Sequence, residues 1–167
     1  DTYIEKDASI NDEIDELRHS ATSSLINYSD VIVVASVSCI YGIGEKEEYE
    51  KNMLVVKLND NLSRNKIATK LIDMTYERNE IDFHRGTFRI RGNNIDIIPV
   101  NDKEEGIRIT LEDDLVTDLC SFDILNGVVK DHKKTVVISP ASHFVTSPDK
   151  MGEAIIRIEN ELNIRLK

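Results

Sequence analysis

Residues 78–91, RNEIDFHRGTFRIR, carry four arginines and a histidine in a chain whose formal net charge is −10. A guanidinium group presents five N–H donors in a rigid plane, and it can bind a carboxylate or a phosphate through two parallel hydrogen bonds. A cluster of such groups in an acidic chain indicates a surface that binds anions. Whether the anion is a carboxylate or a phosphate decides the class of function.

The arginine segment ends in a strict alternation of polar and apolar residues. This pattern is typical of a β-strand with one buried face. Thr87, Arg89 and Arg91 would point to one side of the strand, and Phe88 and Ile90 to the other. We expect the apolar side to pack into a core and the arginine side to face outward.

Two interpretations of the arginines are open at this point. Arg108 lies on the polar face of a second predicted strand, GIRITL, and Arg78 follows a predicted helix. In the first interpretation, the arginines pair with local acids such as Asp96 or Glu80 and stabilise the sheet by roughly 0.2–1 kcal/mol per cross-strand pair. In the second, they form an exposed patch that binds an acidic partner surface and sets specificity.

The composition is typical of a globular chain with room for one domain, or for one domain and pieces of another. Of the 167 residues, 40% are hydrophobic and 31% are charged. No apolar run approaches the roughly 20 residues that span a bilayer, and the start of the chain lacks the pattern of a signal peptide. Cys39 and Cys120 lie in apolar settings, which favours buried, reduced thiols over a disulfide. The net charge argues against broad non-specific DNA binding by this chain alone.

Both ends of the chain are predicted to be helical. A helix capped by Ser9 runs to about Tyr28, and Ser147-Pro148 opens a final amphipathic helix. After the first helix, the run VIVVAS at residues 31–36 is apolar on both faces, as in a central parallel strand. A helix followed directly by such a strand indicates a fragment of a doubly wound α/β domain.

The middle of the chain is predicted to be a compact domain built mostly of strands. A short acidic helix precedes a strand at MLVVKL. Ser63 caps a second amphipathic helix, with Ile67, Ala68, Leu71, Ile72 and Thr75 on its buried side. Six strands follow from Thr87 onward, separated by turn residues, with Asn126-Gly127 as the strongest signal for a two-residue hairpin. The predicted fold class is therefore α+β, with a central twisted antiparallel sheet and one or two packed helices.

The residues do not form a recognisable catalytic motif. No glycine is followed by Lys-Ser or Lys-Thr, so there is no phosphate-binding P-loop. Gly42 and Gly44 lack the third glycine of a dinucleotide fingerprint, and we interpret them as a turn. The four histidines have no metal-ligand spacing with the cysteines or with one another, which argues against zinc. Asp113-Asp114 is typical of a solvated turn.

Four long stretches, in this order along the chain, resemble the UvrB family of bacterial helicase-like subunits in nucleotide-excision repair. They are DTYIEKDASINDEIDELRHSATSSL, VIVVASVSCIYGIG, YERNEIDFHRGTFRIRGNNIDIIPV and ISPASHFVTS. The resemblance extends over residues 1–167. Transcription-repair coupling factors carry a module similar to the third stretch, whereas the first stretch favours the UvrB family.

The resemblance implies a division of the chain into four parts. Residues 1–8 correspond to the end of the DNA-clamping hairpin, in which Tyr3 is one of the DNA-contacting aromatic residues. Residues 9–45 correspond to a fragment of the first helicase-core domain, which is RecA-like. Residues 46–142 correspond to the UvrA-interaction domain (domain 2), and residues 143–167 to a helix of the adjoining DNA-contacting domain.

The resemblance also implies which residues contact the damage sensor UvrA. The arginines of the family that contact UvrA fall on Arg78, Arg89, Arg91 and Arg108, the positions already selected by their charge. Two residues after the last of these arginines the family usually has an acidic residue, and this sequence has Thr110 instead.

The function that the resemblance implies is docking in nucleotide-excision repair, a part of the SOS response to DNA damage. The parent excision-nuclease subunit would use ATP and magnesium and meet UvrA, damaged DNA and UvrC in the cytoplasm, without a membrane. The chain itself lacks a P-loop and an Asp-Glu magnesium motif, so we expect it to bind no cofactor and not to be an enzyme. Two alternatives remain: direct contact of the same arginines with DNA phosphates, and the equivalent docking module of a transcription-repair coupling factor.

Overall fold

A computed structural model describes residues 12–40, 43–44, 46–143 and 148–166 of the chain. Ser9, Gly42 and Ser147 lie outside these residues, as does Tyr3. Within the described ranges the chain forms four α-helices, and these agree with the predicted ones: Asp12–Asn27 (α1), Lys46–Asn52 (α2), Arg64–Asp73 (α3) and Pro148–Arg165 (α4). A short 3₁₀ helix occupies Val37–Ile40.

Eight strands form in the described part of the chain. They are Leu54–Lys57 (β1), Glu77–Arg78 (β2), Thr87–Arg91 (β3), Asn94–Ile97 (β4), Glu105–Glu112 (β5), Leu115–Asp123 (β6), Val129–His132 (β7) and Thr135–Ile138 (β8). Strands β2 to β7 form one sheet in sequence order, and β1 pairs with β8 in a separate antiparallel ribbon. All neighbours in the large sheet are antiparallel except β2 and β3, which are parallel. The α+β class is confirmed, with an open mixed sheet.

One face of the large sheet forms the core. Ile90, Ile95, Ile109 and Leu119 stand opposite one another across β3, β4, β5 and β6, and the last three are fully buried. Because side chains alternate between the faces of a strand, the residues between these positions lie on the outer face. The core therefore fixes which side of the sheet carries the arginines.

Helix α3 covers the core face. Its N-cap is Ser63, as predicted, and the Ser63 side chain accepts a hydrogen bond from the backbone N–H of Lys66. Ile67 and Leu71 are buried in the same core cluster as the strands. Ile72, which we had placed on the buried stripe, is exposed, because α3 buries a narrow stripe against the sheet.

Two tight hairpins form at turns other than Asn126-Gly127, and the first is Gly92-Asn93, which joins Arg91 of β3 to Asn94 of β4. Asp113 and Asp114 join β5 to β6 as a two-residue turn, with φ angles of 47° and 66°. Asp tolerates this left-handed conformation better than most residues, and the turn matches the twist of a hairpin. At Asn126-Gly127 the connection is longer, because residues 124–128 separate β6 from β7. The hairpin prediction there was wrong in loop length, although Gly127 does adopt a positive φ of 73°.

Residues 31–36 do not form the predicted parallel strand. No strand is assigned there, and Ile32 and Val34 are 92% and 95% exposed. A parallel strand apolar on both faces requires neighbouring strands and covering helices, and the described part of the chain places none beside it. The apolar positions Ile155, Ile158 and Leu162 of α4 are also exposed.

The two cysteines are free, as predicted. Cys120 is buried in β6, and burial raises the pKa of its thiol. Cys39 is only half-buried, because it lies in the 3₁₀ helix beyond the main core. Across the described ranges, no helix is both long and apolar enough to cross a membrane.

Candidate functional site: an arginine surface on the outer face of the sheet

Arg89, Asp96 and Arg108 stand in a row across three neighbouring strands. The register of β3, β4 and β5 places Asp96 directly opposite both arginines. Arg89 donates from Nε and Nη2 to Asp96 Oδ2 over 3.2 and 3.1 Å. Arg108 donates from Nε to Oδ1 over 2.6 Å and from Nη2 to Oδ2 over 3.1 Å. One carboxylate thus holds two guanidinium groups.

A second row lies one pleat further along the same face. Arg91, Asn94 and Thr110 are opposite one another on β3, β4 and β5. The Thr110 hydroxyl donates to the side-chain oxygen of Asn94 over 3.0 Å. Thr110 therefore belongs to the arginine-bearing face, with its hydroxyl tied to a neighbouring strand.

Glu80 connects the two remaining arginines at the edge of the sheet. Its Oε1 accepts from Nε and Nη2 of Arg78, each over 3.2 Å, and from the backbone N–H of Ile90 over 3.3 Å. Arg91 donates from Nη2 to the backbone carbonyl of Glu80 over 3.2 Å. Arg89, Arg91 and Arg108 thus share the outer face of the sheet, and Arg78, which pairs with Phe88 at the sheet edge, is joined to them through Glu80.

We call this set the arginine surface: Arg78, Arg89, Arg91 and Arg108. The pairing with Asp96 and Glu80 proposed in the first interpretation of the sequence is present in the structure. This pairing neutralises only part of the positive charge, because four guanidinium groups face two carboxylates and two positive charges remain. The side chain of Arg78 is 55% exposed, and those of Arg89 and Arg108 are 19% and 24% exposed. The arginines therefore pair with local acids and also keep part of their surface exposed, so local pairing does not exclude binding of a partner.

Two aromatic rings support the arginine surface, and sequence reasoning did not identify them. The guanidinium carbon of Arg89 lies 4.0 Å from the ring centre of Phe83, and that of Arg108 lies 4.8 Å from the ring centre of Phe122. Cation–π contact of this kind is attractive and favours a fixed guanidinium plane. The Phe122 ring lies over Gly106 on the neighbouring strand, where a Cβ would be 2.4 Å from its Cζ atom.

The electrostatics of the surface favour the charged form of Arg108. The hydrogen bond from Arg108 to Asp96 raises the pKa of the Arg108 guanidinium. The carboxylate of Asp96 is nearly buried, at 3% exposure, and buried charges need partners of opposite charge. The arrangement can therefore bind acceptor groups through its guanidinium N–H donors.

Arg85, the fourth arginine of the opening segment, does something different. Its guanidinium donates to the backbone carbonyl of Val100 over 2.6 Å and to both Asp12 and Asp15 of α1, the latter over 3.1 Å. Hydrogen bonds to these two carboxylates raise its pKa, although its burial opposes the shift. Arg85 thus fastens α1 to the loop before β3, a role that sequence spacing of about 70 residues did not reveal.

Two histidines also join α1 to the end of the strand domain. The rings of His19 and His143 stack with centroids 3.8 Å apart and an angle of 22° between their planes. His143 Nε2 lies 3.1 Å from the hydroxyl of Thr22, and Asp15 lies near His19. Asp15, His19 and His143 thus converge in space, which their spacing along the sequence did not indicate. The nitrogen lone pairs lie in the planes of two nearly parallel rings, so they do not point at one ion. The carboxylate of Asp15 already accepts a hydrogen bond from Arg85. We therefore assign no metal to the cluster.

The stacked histidines predict an acid-sensitive fold. Burial, and next the neighbouring His143, lower the pKa of His19 to about 4, with Asp15, Arg85 and Arg18 as the other charged neighbours. In the unfolded chain the pKa is about 6.5, so between these values the unfolded state binds a proton that the folded state excludes. Stability should fall as the pH drops from about 6.5 to about 4, by at most about 1.4 kcal/mol per pH unit for one site.

Urea denaturation of the His19→Phe variant over this pH range measures the effect. The phenyl ring keeps the stack on His143 and removes the proton site. We expect a shallower loss of stability with falling pH for this variant than for the unchanged chain. Equal slopes for the His19→Phe variant and the unchanged chain would refute the assignment.

The fold and the surface together define a class of protein. That class is an open α+β sheet with paired arginines on its outer face. Residues 54–144, more than half of the chain, match the family model described as the UvrB interaction domain. The chain belongs to the UvrB interaction domain family.

Curated relatives match the chain over its whole length. UvrABC system protein B of Clostridium acetobutylicum is 55% identical over 167 residues. The proteins of the same name from Bacillus licheniformis and Clostridium perfringens are each 52% identical over 167 residues. The chain spans 25% of the length of each of these relatives.

Proposed function

We propose that this chain is the docking module through which a UvrB protein binds UvrA in nucleotide-excision repair. Family membership and the relatives named UvrABC system protein B support a role in that system. The observation that carries the proposal is the arginine surface itself. It has three guanidinium groups on the outer face of the sheet, two of them joined through the buried carboxylate of Asp96, and Arg78 is linked to them at the edge of the sheet through Glu80.

The expected ligand is a set of carboxylates on the surface of UvrA. A guanidinium edge pairs with a carboxylate through two parallel hydrogen bonds, and the arginine surface repeats this edge several times. The rest of the chain is acidic, with a net charge of −10, which weakens attraction to the DNA backbone at long range. A local positive patch on an acidic body favours a protein partner with acidic groups over a nucleic acid.

We propose further that the parent protein, and not this chain, carries the ATP-dependent activity. The 167 residues contain no glycine-rich loop ending in Lys-Ser or Lys-Thr, the motif that binds the phosphates of ATP in P-loop enzymes. ATP and magnesium, damaged DNA and UvrC would be bound by other parts of the parent in the cytoplasm. The purified chain should show no ATPase activity above background.

Parallel titrations of the same chain with UvrA and with duplex DNA test the docking proposal against DNA binding. We expect saturable binding to UvrA at physiological salt and much weaker binding to the duplex. Phosphate contacts release counterions, so DNA affinity falls steeply with salt in proportion to the phosphates contacted. Tight duplex binding with a steep salt slope, and none to UvrA, would replace docking with the DNA alternative.

A further inference from the structure

Asp96 leaves part of each arginine available to a partner. A guanidinium has five N–H donors, and Arg89 and Arg108 both use Nε and Nη2 toward Asp96. Among the residues that the structure describes, Nη1 of Arg89 and Nη1 of Arg108 have no hydrogen-bond acceptor. Each guanidinium therefore keeps the end that carries Nη1 for an external acceptor, and the two ends belong to neighbouring positions of one cross-strand row.

The orientation of both guanidinium groups is fixed by two kinds of contact. The carboxylate of Asp96 holds the Nε edge of each group in its plane, while Phe83 and Phe122 contact their faces at 4.0 and 4.8 Å. The side chain of Asp96 is itself buried, so its carboxylate is held in a fixed position between the two arginines. A receptor that is rigid before binding loses less conformational entropy when it binds.

Asp96 also reduces the positive charge of the surface. Arg89, Arg108 and Asp96 together carry one net positive charge, whereas the arginines alone would carry two. If the surface worked by charge alone, Asp96 would weaken it for every anionic partner. The position of Asp96 between the arginines therefore favours binding in which the orientation of the guanidinium groups matters more than the total charge.

We infer that Asp96 is a positioning residue that makes Arg89 and Arg108 a rigid double fork for two carboxylates of the protein partner. This inference rests on the proposed docking function. The fork selects planar, bidentate acceptors in fixed positions, as acidic side chains on a folded surface provide. The DNA backbone, which is attracted mainly by total charge, gains nothing from the fork and is disfavoured by the charge of Asp96.

The Asp96→Asn variant separates orientation from charge. Asparagine has nearly the same shape, but its amide group offers one oxygen in place of two and directs N–H donors at a guanidinium. It also makes the surface more positive by one charge. Charge alone predicts tighter binding to both UvrA and a DNA duplex. The double fork predicts that the affinity for UvrA falls by about tenfold or more, as when a charge-assisted bidentate contact is lost, while the duplex binds as well as before or better.

Two further variants complete the test in the 167-residue chain. Asp131→Asn makes the same charge change on β7, where the side chain is exposed, and it should leave UvrA affinity within about twofold. Phe83→Leu keeps the charge and removes the ring beneath Arg89, so it should weaken UvrA binding by severalfold. This variant decides the question if Asp96→Asn fails to fold, as judged by its circular dichroism and melting curve.

The outcomes distinguish the inference from the function on which it rests. If reversal of the arginines to glutamate leaves UvrA binding intact, docking through this surface is wrong. If the reversal abolishes binding while Asp96→Asn binds UvrA equally or more tightly, docking stands and the positioning role of Asp96 is overturned. A parallel loss of UvrA and DNA affinity in a folded Asp96→Asn variant also overturns it, because a general structural defect would lower both.

Discussion

Replacing Arg89 and Arg91 together by glutamate should abolish detectable binding of the chain to UvrA. Arg89 contributes to the cross-strand row with Asp96, and Arg91 contributes to the cluster around Glu80, so one double variant damages both halves of the arginine surface. Losing one partner of a close charge pair costs about 2–5 kcal/mol, and reversal adds repulsion. The affinity should therefore fall by more than about a hundredfold, as measured by pulldown and by titration.

A matched control changes the same charge elsewhere. Lys57 and Lys66 are exposed, and Lys66 lies on α3, which covers the core face rather than the outer face of the sheet. Their double replacement by glutamate should leave UvrA binding almost unchanged. An equal loss in both double variants would mean that total charge, and not the arginine surface, governs binding. An equal loss of duplex affinity in the arginine variant would favour the DNA alternative.

The Gly106→Ala variant should be destabilised although it adds one methyl group. The new Cβ would lie 2.4 Å from Cζ of Phe122, a buried ring on the adjacent strand, so the ring must move. Overpacking of this kind costs about 1–3 kcal/mol, or about 2–4 °C in melting temperature per kcal/mol in a chain of this size. Because Arg108 rests on that ring, the variant should also bind UvrA more weakly.

A rescue experiment identifies the cause. Adding Phe122→Leu to Gly106→Ala relieves the clash, so the two substitutions should couple in a double-mutant cycle instead of adding. Gly152→Ala is the control, because its Cβ would meet nothing within 4 Å and alanine favours the helix. A loss of stability at Gly152 as large as that at Gly106, or strict additivity of the first pair, would contradict the packing explanation.

Much of the strand domain could be predicted from local sequence. The alternation around Phe88 and Arg89 predicted both the strand and its buried face, because successive side chains point to opposite faces of a sheet. One face packs on the core and the other faces outward. Ser63 signalled the start of α3 through a side chain that satisfies a free backbone N–H. These signals are local, and the structure confirms them.

The errors arose where distant parts of the chain decide the outcome. The run at residues 31–36 has the composition of a buried strand, but a strand needs hydrogen-bonding neighbours that composition does not supply. Asn126-Gly127 has the residues of a tight turn, yet the pairing of β6 with β7 left a longer loop there. A two-residue turn formed instead at Asp113-Asp114, where the sequence predicted a turn but not its tight geometry.

The sequence predicted which arginines form the candidate site, but not the contacts that hold them in place. Charge selected Arg89 and Arg108, and local pairing with Asp96 was foreseen as a possibility. Strand register placed Asp96 between them, and register depends on the whole sheet. The rings of Phe83 and Phe122 carried no sequence signal that separates a support for arginine from an ordinary core residue. Their role became visible only through their contacts.

The most direct test of the central claim is a calorimetric titration of UvrA with the chain and with its fourfold variant. In the variant, glutamate replaces Arg78, Arg89, Arg91 and Arg108, and its fold is checked by circular dichroism. We predict saturable binding for the unchanged chain and no measurable heat of binding for the folded variant. Equal binding by both chains would contradict the claim that the arginine surface is the site where UvrA docks.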